Sequence, residues 1–569
     1  MKIRIVHSLL LTGLLTLTAS LQGNDELRVP NIFGHSMVLQ AGTPITVWGW
    51  AAKGAPVEVS IGAISVQAHA NETGIWSVRF PKLAKTFQPR ELRITSGSAS
   101  IVFRDILIGE VWVCGGQSNM AWTLKGSRDG ELEIASADTP QIRFIRVPLI
   151  SRGQPQTDFE VTSPTADEGN WRKAMPDQVD NCTAVGYYFA QRISRLLKSP
   201  VGLVDTSWGG TMAQHWVTKE TLANIPEMQP YQKAYENALK VWTDGGEESG
   251  ASKRYAVALT EWEREAQIAK RKGDREPRRP NQNDFINPGH KRHPAGMING
   301  MIYPISKLSI RGVLFYQGEN NSFGTSWKPF YATYPAVIHD WRRLFNTPTL
   351  PFGLVQIAGW SNRRSMTYDM NHHTNVIREI QHITWRQIPH TGLITTYDTN
   401  SNGNIHPAHK RPVGERLARW ALNEVYQKQL ANPIQWMGPV FKDSTVEDGK
   451  IIIGFMDGTA NGLRLDKDLA AGFYIAGDDQ VFRQAAARIL GSENKLVVWH
   501  DEIAEPKAVR YGFSNLPHGT LLNGKELPAY PFRTDTWKMT PHQSTGDYDI
   551  LTIRAFQTPG HETDDRANP

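Results

Sequence analysis

Gly109 to Trp122 reads GEVWVCGGQSNMAW. Val111, Trp112, Val113 and Cys114 form a short apolar run of strand-forming residues, which predicts a buried strand. Gly115-Gly116 ends the run, and a lone Ser118 follows among polar residues. Glycine accepts backbone angles that other residues avoid. The chain can therefore turn sharply here and lift the Ser118 hydroxyl above the end of a sheet. Many α/β hydrolases present a nucleophile in this way. Taken alone, the pattern fits equally well a glycine-rich strand-to-helix turn with an incidental serine.

Working outward, the chain downstream of Asp105 alternates strands with helices. Thr183 to Leu197 carries Val185, Tyr188, Phe189, Ile193 and Leu196 at helical spacing. Short apolar strands are predicted at Val201–Val204, Val313–Tyr316, Phe352–Ile357 and Leu393–Thr396. Short strands separated by longer helical stretches imply a parallel sheet covered by helices. Upstream, Leu27 to Arg104 reads as all-β: Pro56–Ile61 and Trp76–Phe80 alternate strictly, and a small β-sandwich is expected. From Pro433 the chain is β again, with strands expected at Ile451–Phe455 and Lys495–Trp499. Between Thr218 and about Arg292 it turns polar and charged. Residues 253–272 suit a surface helix, and the segment after Gly273 suits a loop. This stretch reads as an insertion: either a cap over the site or a solvated excursion with no role. The expected organisation is a leader at 1–20, an N-terminal β-sandwich at 25–104 and a hydrolase domain at 105–217 and 293–432. The insertion takes 218–292, a β-rich region 433–537 and a tail 538–569.

Composition narrows the function. The 569 residues are 40% hydrophobic and 9% aromatic, which fits a globular protein of several domains. A net charge of +6, with no long basic block, does not indicate a nucleic-acid partner. The only cysteines, Cys114 and Cys182, exclude a disulfide framework and a cysteine metal cluster. Lys2 and Arg4, the apolar run Leu9–Leu17 and the small residues Thr18-Ala19-Ser20 read as a cleaved secretory signal. With no cysteine at that point, a lipoprotein anchor is not expected, nor is any other membrane anchor. The expectation is an exported protein, periplasmic or extracellular.

GGQSNM resembles the first block of the SGNH-hydrolase superfamily and, more narrowly, of the sialate O-acetylesterase-like carbohydrate esterases. Three later stretches are similar to the remaining blocks, in order: VGLVDTSWGGTMAQHW at 201–216, GVLFYQGENN at 312–321 and IHPAHK at 405–410. The opening VPNIFGHSMVLQAGTPITVWGWA at 29–51 resembles the same family. So do GFYIAGDDQVF at 472–482, AVRYGFSNLP at 508–517 and LPAYPFRTDTW at 527–537. The resemblance thus covers about Leu27 to Trp537. It implies an α/β fold: an SGNH (flavodoxin-like) three-layer α/β/α hydrolase domain with β-sandwich-type regions at both ends. It also implies removal of acetate from sugar hydroxyls through an acyl-Ser118 intermediate. An acetylated glycan would be the partner, with no metal and no cofactor.

In that reading Ser118 is the nucleophile and His406 the base, since a neutral imidazole can take the serine proton near neutral pH. The resemblance places the oxyanion hole at the Ser118 N–H, a second-block glycine and a third-block asparagine. The glycine is Gly210, with Gly209 next; the asparagine is Asn321 rather than Asn320, from the pattern Gln-Gly-Glu-any-Asn. Ordinary turn chemistry is the other reading of these residues. The third triad member departs from the family: the position three before the histidine is Gly403, with no carboxylate. Asp398, eight before, could orient the imidazole if the loop folds back; a Ser–His dyad helped by a backbone carbonyl stands beside it. Arg378 and Gln381 in IREIQ resemble a family stretch near the site. Gln117, Gln317, Glu319 and Arg378 are candidates for binding sugar hydroxyls or for bracing the loops. Two other classes stay open: a non-catalytic carbohydrate-binding protein on this fold, and a serine hydrolase acting on other esters. The latter would lack the Gly-x-Ser-x-Gly elbow of typical lipases.

Overall fold

The computed structural model describes residues 27–537, apart from 162–166, 245–249, 274–275, 278, 281–286, 324, 361–373, 401–403, 466–471, 492–493 and 518. The expected leader at 1–20 and tail at 538–569 lie outside the described residues, as does Gly403.

Six strands open the chain: β1 (Val38–Gln40), β2 (Ile45–Trp50), β3 (Pro56–Ile61), β4 (Ile64–His69), β5 (Ile75–Phe80) and β6 (Thr86–Ser96). β2 and β5 pair antiparallel, while β3 pairs with β4 and β6. Their alternating residues fill a shared interior. Val57, Val59 and Ile61 point inward from β3, and Trp76, Val78 and Phe80 from β5.

The run expected at 111–114 is the end of a much longer strand, β7 (Ala99–Gly116). Its first half pairs antiparallel with β6; its second half enters the central sheet. The expected boundary at 104/105 therefore falls inside one continuous strand. Asp105 marks the change of partner with a left-handed backbone (φ 62°). Its carboxylate is held there by Arg143 Nη1 and Ser36 Oγ, both at 2.9 Å.

The central sheet continues with β8 (Thr139–Arg146), β9 (Arg172–Ala174), β10 (Val201–Asp205), β11 (Gly312–Tyr316), β12 (Phe352–Val355) and β13 (Thr391–Ile394). The spatial order is β13-β12-β11-β7-β10-β8-β9; all neighbours are parallel except β8 and the edge strand β9. β10 and β11 are buried at every position, as expected of strands covered on both faces. Successive β7 side chains show the two covers. Trp112 meets Phe189 and Trp420, and Cys114 faces Gly186, all from the helices Ala184–Leu197 and Arg411–Trp420. Gly115 faces the opposite way, against the Trp341 ring of the helix Trp327–Leu344.

From β7 the chain goes to β8, returns to β10 beside β7, and then crosses to β11 on the other side. Such a reversal opens a crevice at the carboxyl ends of the strands, the usual ligand position in open α/β sheets. The loops after β7, β10 and β11 all leave from that end. The two longer helices described in the insertion are Gln229–Asp244 and Gly250–Lys272. The second matches the helix expected at 253–272. The first was not anticipated; its Tyr231 and Tyr235 dock on the backbone carbonyls of Arg292 and Asn287. Beyond β13 the chain builds two further antiparallel sheets, which include Lys450–Phe455 and Lys495–Trp499. They enclose a core of their own with Ile453, Phe473, Val498 and Tyr511.

Candidate active site

The turn after β7 is forced by a close approach. A Cβ at Gly116 (φ 122°) would overlap the carbonyl oxygen of Tyr316 at the end of β11, so only glycine fits. The chain then enters a one-turn helix, Ser118–Ala121, and Ser118 stands half-buried at its first position. His406 reaches the same point from the loop after β13. Its Nε2 lies 2.7 Å from Ser118 Oγ, hydrogen-bonding distance for proton transfer. The imidazole is stacked on Trp122, with ring centroids 5.3 Å apart and planes 22° apart. Asn404 Oδ1 accepts the His406 N–H at 2.9 Å and shapes the loop. Burial, and then the positive charge of Lys410, hold the His406 imidazole at about 4, so it is neutral at physiological pH.

The glycines after β10 border the serine. A Cβ on Gly209 would stand 3.3 Å from Ser118 Cβ. Gly210 (φ 79°) follows, and a Cβ there would lie 3.2 Å from Lys291 Nζ and 3.7 Å from Asn320 Nδ2. Asn320 is therefore the third-block amide that reaches this rim. Its Nδ2 is buried and has no hydrogen-bond partner among the described residues, while its backbone N–H donates to Gln117 Oε1 at 3.2 Å. Asn321, the residue expected in this place, is turned away. Its Oδ1 accepts from Ala213 N at 3.0 Å, and its Nδ2 donates to Gln214 Oε1 and to the Ser326 carbonyl. Both ends of the Asn321 amide are thus committed to hydrogen bonds with neighbouring loops.

Asp398 is likewise not beside the imidazole's partner set. Arg416 Nη1 and Nη2 take its two oxygens at 2.7 and 2.5 Å. A fork-to-fork pair of this kind leaves the carboxylate little freedom to turn to a second partner. The described contacts of His406 are thus those of a Ser–His pair without Asp398.

The candidate sugar-binding residues make hydrogen bonds to neighbouring loops. Gln317 Nε2 donates to Gln117 Oε1 (2.8 Å) and to the Thr211 carbonyl (3.0 Å), tying the loops after β7, β10 and β11 together. Arg378 is buried and donates to the carbonyls of Ala358 and Ser514; burial alone pushes its guanidinium down to about 9. Gln381 donates to the Gln317 carbonyl (2.9 Å) and the Val355 carbonyl (3.1 Å). Glu319 lies under the serine, where Asn119 Nδ2 donates to its Oε1 at 2.5 Å. Asn119 and Lys410 were not singled out from sequence. Each sits inside a quoted motif, GGQSNM and IHPAHK, but one amide and one lysine carry no signal of burial.

Comparison with known proteins gives one answer at every level. The family model described as "Carbohydrate esterase, sialic acid-specific acetylesterase" matches residues 291–423. The sialate O-acetylesterase of Mus musculus is 26% identical over 431 residues, covering 68% of this chain and 72% of the mouse protein. That of Homo sapiens is 25% identical, covering 71% of this chain and 72% of the human protein. The crystal structure of a carbohydrate acetylesterase from Xanthomonas citri superposes with a TM-score of 0.72 at 30% identity. It covers 90% of this chain and 100% of that one.

Proposed function

The chain belongs to the sialate O-acetylesterase-like carbohydrate esterases, and from that premise we propose an exported enzyme that deacetylates sugar hydroxyls through an acyl-enzyme on Ser118. The observation that carries the mechanism is the 2.7 Å contact between Ser118 Oγ and a neutral His406 Nε2, beside the unpartnered amide of Asn320.

In this reading Ser118 Oγ attacks the acetyl carbonyl carbon as its proton passes to His406 Nε2. The carbonyl oxygen becomes an oxyanion, stabilised by the Ser118 N–H, the Gly210 N–H and Asn320 Nδ2. Donors already in place at the developing charge cost no reorganisation during the step. The tetrahedral species collapses, and the sugar oxygen leaves with the proton from His406. Water then attacks the acetyl-serine, gives its proton to His406, and acetate departs with Ser118 regenerated. His406 is held in place by the Trp122 stack and by the Asn404-capped loop rather than by Asp398. A dyad of this kind is slower than a triad but still active, because the oxyanion donors act independently of the imidazole's orienting partner.

Export rests on the charged, apolar and small-residue pattern of the first twenty residues. No helix among the described residues is long and apolar enough to cross a membrane.

The test is acetate release from O-acetylated sialic acid and from acetylated xylan, xyloglucan, pectin and xanthan. Wild type and Ser118→Ala are run in parallel. Release from at least one glycan that vanishes in the variant is expected. Release that survives the substitution rejects Ser118 as nucleophile. No release from any of them moves weight to glycan binding without catalysis.

A further inference from the structure

Beneath the Ser118–His406 pair runs a buried ionic chain that the acyl transfer does not use. Lys410 Nζ donates to Asn119 Oδ1 at 2.5 Å. Asn119 Nδ2 donates to Glu319 Oε1 at 2.5 Å and to the Ile405 carbonyl at 3.0 Å. All three side chains are buried: Lys410 is 1% exposed, Asn119 0% and Glu319 2%. The three residues belong to three different loops. Asn119 follows the nucleophile, Glu319 precedes the oxyanion amide Asn320, and Lys410 closes the loop that carries His406. One amide therefore clamps all three parts of the site.

The Asn119 amide oxygen faces the Lys410 amine and its nitrogen faces the Glu319 carboxyl, so one amide dipole bridges the two buried ionisable groups. A buried lysine persists only when partnered, because an isolated buried charge is very costly. Burial pushes Glu319 up and Lys410 down, and each opposes the other's shift. The ammonium also lies over the Trp122 ring, 5.7 Å from its centroid, and Trp122 is the ring that stacks on His406. The charged groups around this pocket are Lys410 and Glu319 below it and Lys291 at the Gly210 rim. Arg128, Asp129, Asp398 and Arg416 surround the neighbouring His409 instead.

We propose that Lys410, anchored through Asn119 by Glu319, is a positioning residue of the esterase: it seats the His406 loop on the serine loop and presents a fixed positive charge to the imidazole, in a site whose nearby Asp398 is bound to Arg416. This rests on the acyl-enzyme reading above. A cation here opposes the imidazolium and lowers the pH at which the resting base becomes protonated, so the gain in rate comes from the seat and the mark of the charge is the acid limb of the pH profile. The seat matters because a displacement of about 1 Å in a reacting group can cost ~10²-fold in rate.

The test measures kcat, KM and the pH profile of kcat/KM on a small acetyl ester. The series is wild type, Lys410→Met, Glu319→Gln, the double variant and Ser118→Ala, with thermal melts alongside. Lys410→Met is expected to lower kcat about 10²-fold with KM little changed. Its acid limb should move to higher pH by about one unit, because the repelling charge is gone. Glu319→Gln keeps the volume but weakens the anchor of Asn119 and Lys410, so it should lower kcat in the same direction with KM little changed. The double variant should be no worse than the poorer single one, since both break one chain. A folded Lys410→Met protein with the wild-type acid limb and kcat overturns the proposal. Where Lys410→Met does not fold, an unchanged kcat in Glu319→Gln overturns it. Activity that survives Ser118→Ala overturns the acyl-enzyme reading and this inference with it. An unmoved acid limb with Ser118 essential overturns the role of Lys410 alone.

Discussion

Both carboxylate oxygens of Asp398 are held by the guanidinium of Arg416, at 2.7 and 2.5 Å. Arg416 is largely buried and also donates to the Thr395 carbonyl, so Asp398 is the counter-charge that lets it lie there. Asp398→Asn is therefore expected to leave kcat within a few-fold of wild type. An aspartate that orients the catalytic imidazole loses about 10⁴-fold on the same change. The cost should fall on stability instead, about 1–2 kcal/mol for a pair that is partly exposed on the aspartate side. Initial rates and a urea midpoint on one preparation separate the outcomes. A rate loss near the larger figure would place Asp398 back in the catalytic machinery.

Asn320 and Asn321 are adjacent, yet one amide nitrogen is buried without a partner and the other amide is bonded at both ends. Asn320→Ala should lower kcat about 10²- to 10³-fold, the usual loss for one oxyanion donor, with little change in melting temperature. Asn321→Ala should do the reverse. It strands the Ala213 N–H and Gln214 Oε1 and costs about 1–3 kcal/mol of stability. Steady-state kinetics and thermal melts of the two variants decide the assignment. A slow, fully stable Asn321→Ala enzyme would return the donor role to Asn321.

The acid side of the pH profile should be unusual for a histidine base. His406 is held near 4 by burial first and by Lys410 second, against an ordinary value of 6.5. Its neutral form is the working form, so kcat/KM should stay level through the usual imidazole range and fall only as pH approaches the low value. Stability follows the same sign. The unfolded chain protonates first, so the contribution from His406 is complete above about 6.5 and is lost as pH falls from there toward 4. Trp122→Leu exposes the ring face and should move the acid limb upward. A wild-type midpoint between 6 and 7 on a soluble acetyl ester would contradict this account.

What could be read in the sequence was whatever the physics makes local. Fully buried parallel strands are unbroken apolar runs, so β10, β11 and β13 were legible within two or three residues at their ends. Ser118 and His406 sit in short stretches whose residue order carries the signal. The choice between Asn320 and Asn321 was not local. They sit in one short 3₁₀ turn, and which amide faces the serine depends on where Ala213 and Gln214 of another loop lie. The tie between Asp398 and Arg416 spans 18 positions and two elements, and nothing in either residue announces it. The contact of Lys410 and Glu319 through Asn119 could not be read in the sequence, because burial of a charge is visible only once its partner is. The helix Gln229–Asp244 was missed because Tyr231 and Tyr235, its anchors, are spaced among polar residues.

Arg378 resembled a substrate contact in sequence, but its guanidinium joins the carbonyls of Ala358 and Ser514, so it ties the segment after β12 to the C-terminal β-region. A buried guanidinium makes its strongest bonds when charged, and replacing it leaves two buried carbonyls without donors. Arg378→Met should therefore destabilise the fold by about 2–4 kcal/mol. Where the variant is folded, KM for acetylated glycans should stay within about twofold, since the side chain is not within reach of a sugar. Arg378→Lys keeps the charge but not the fork, and should recover only part of the loss. The discriminating quantity is KM measured well below the melting transition. A large rise in KM with an unchanged melting temperature would mean that the guanidinium swings into the crevice and binds sugar after all.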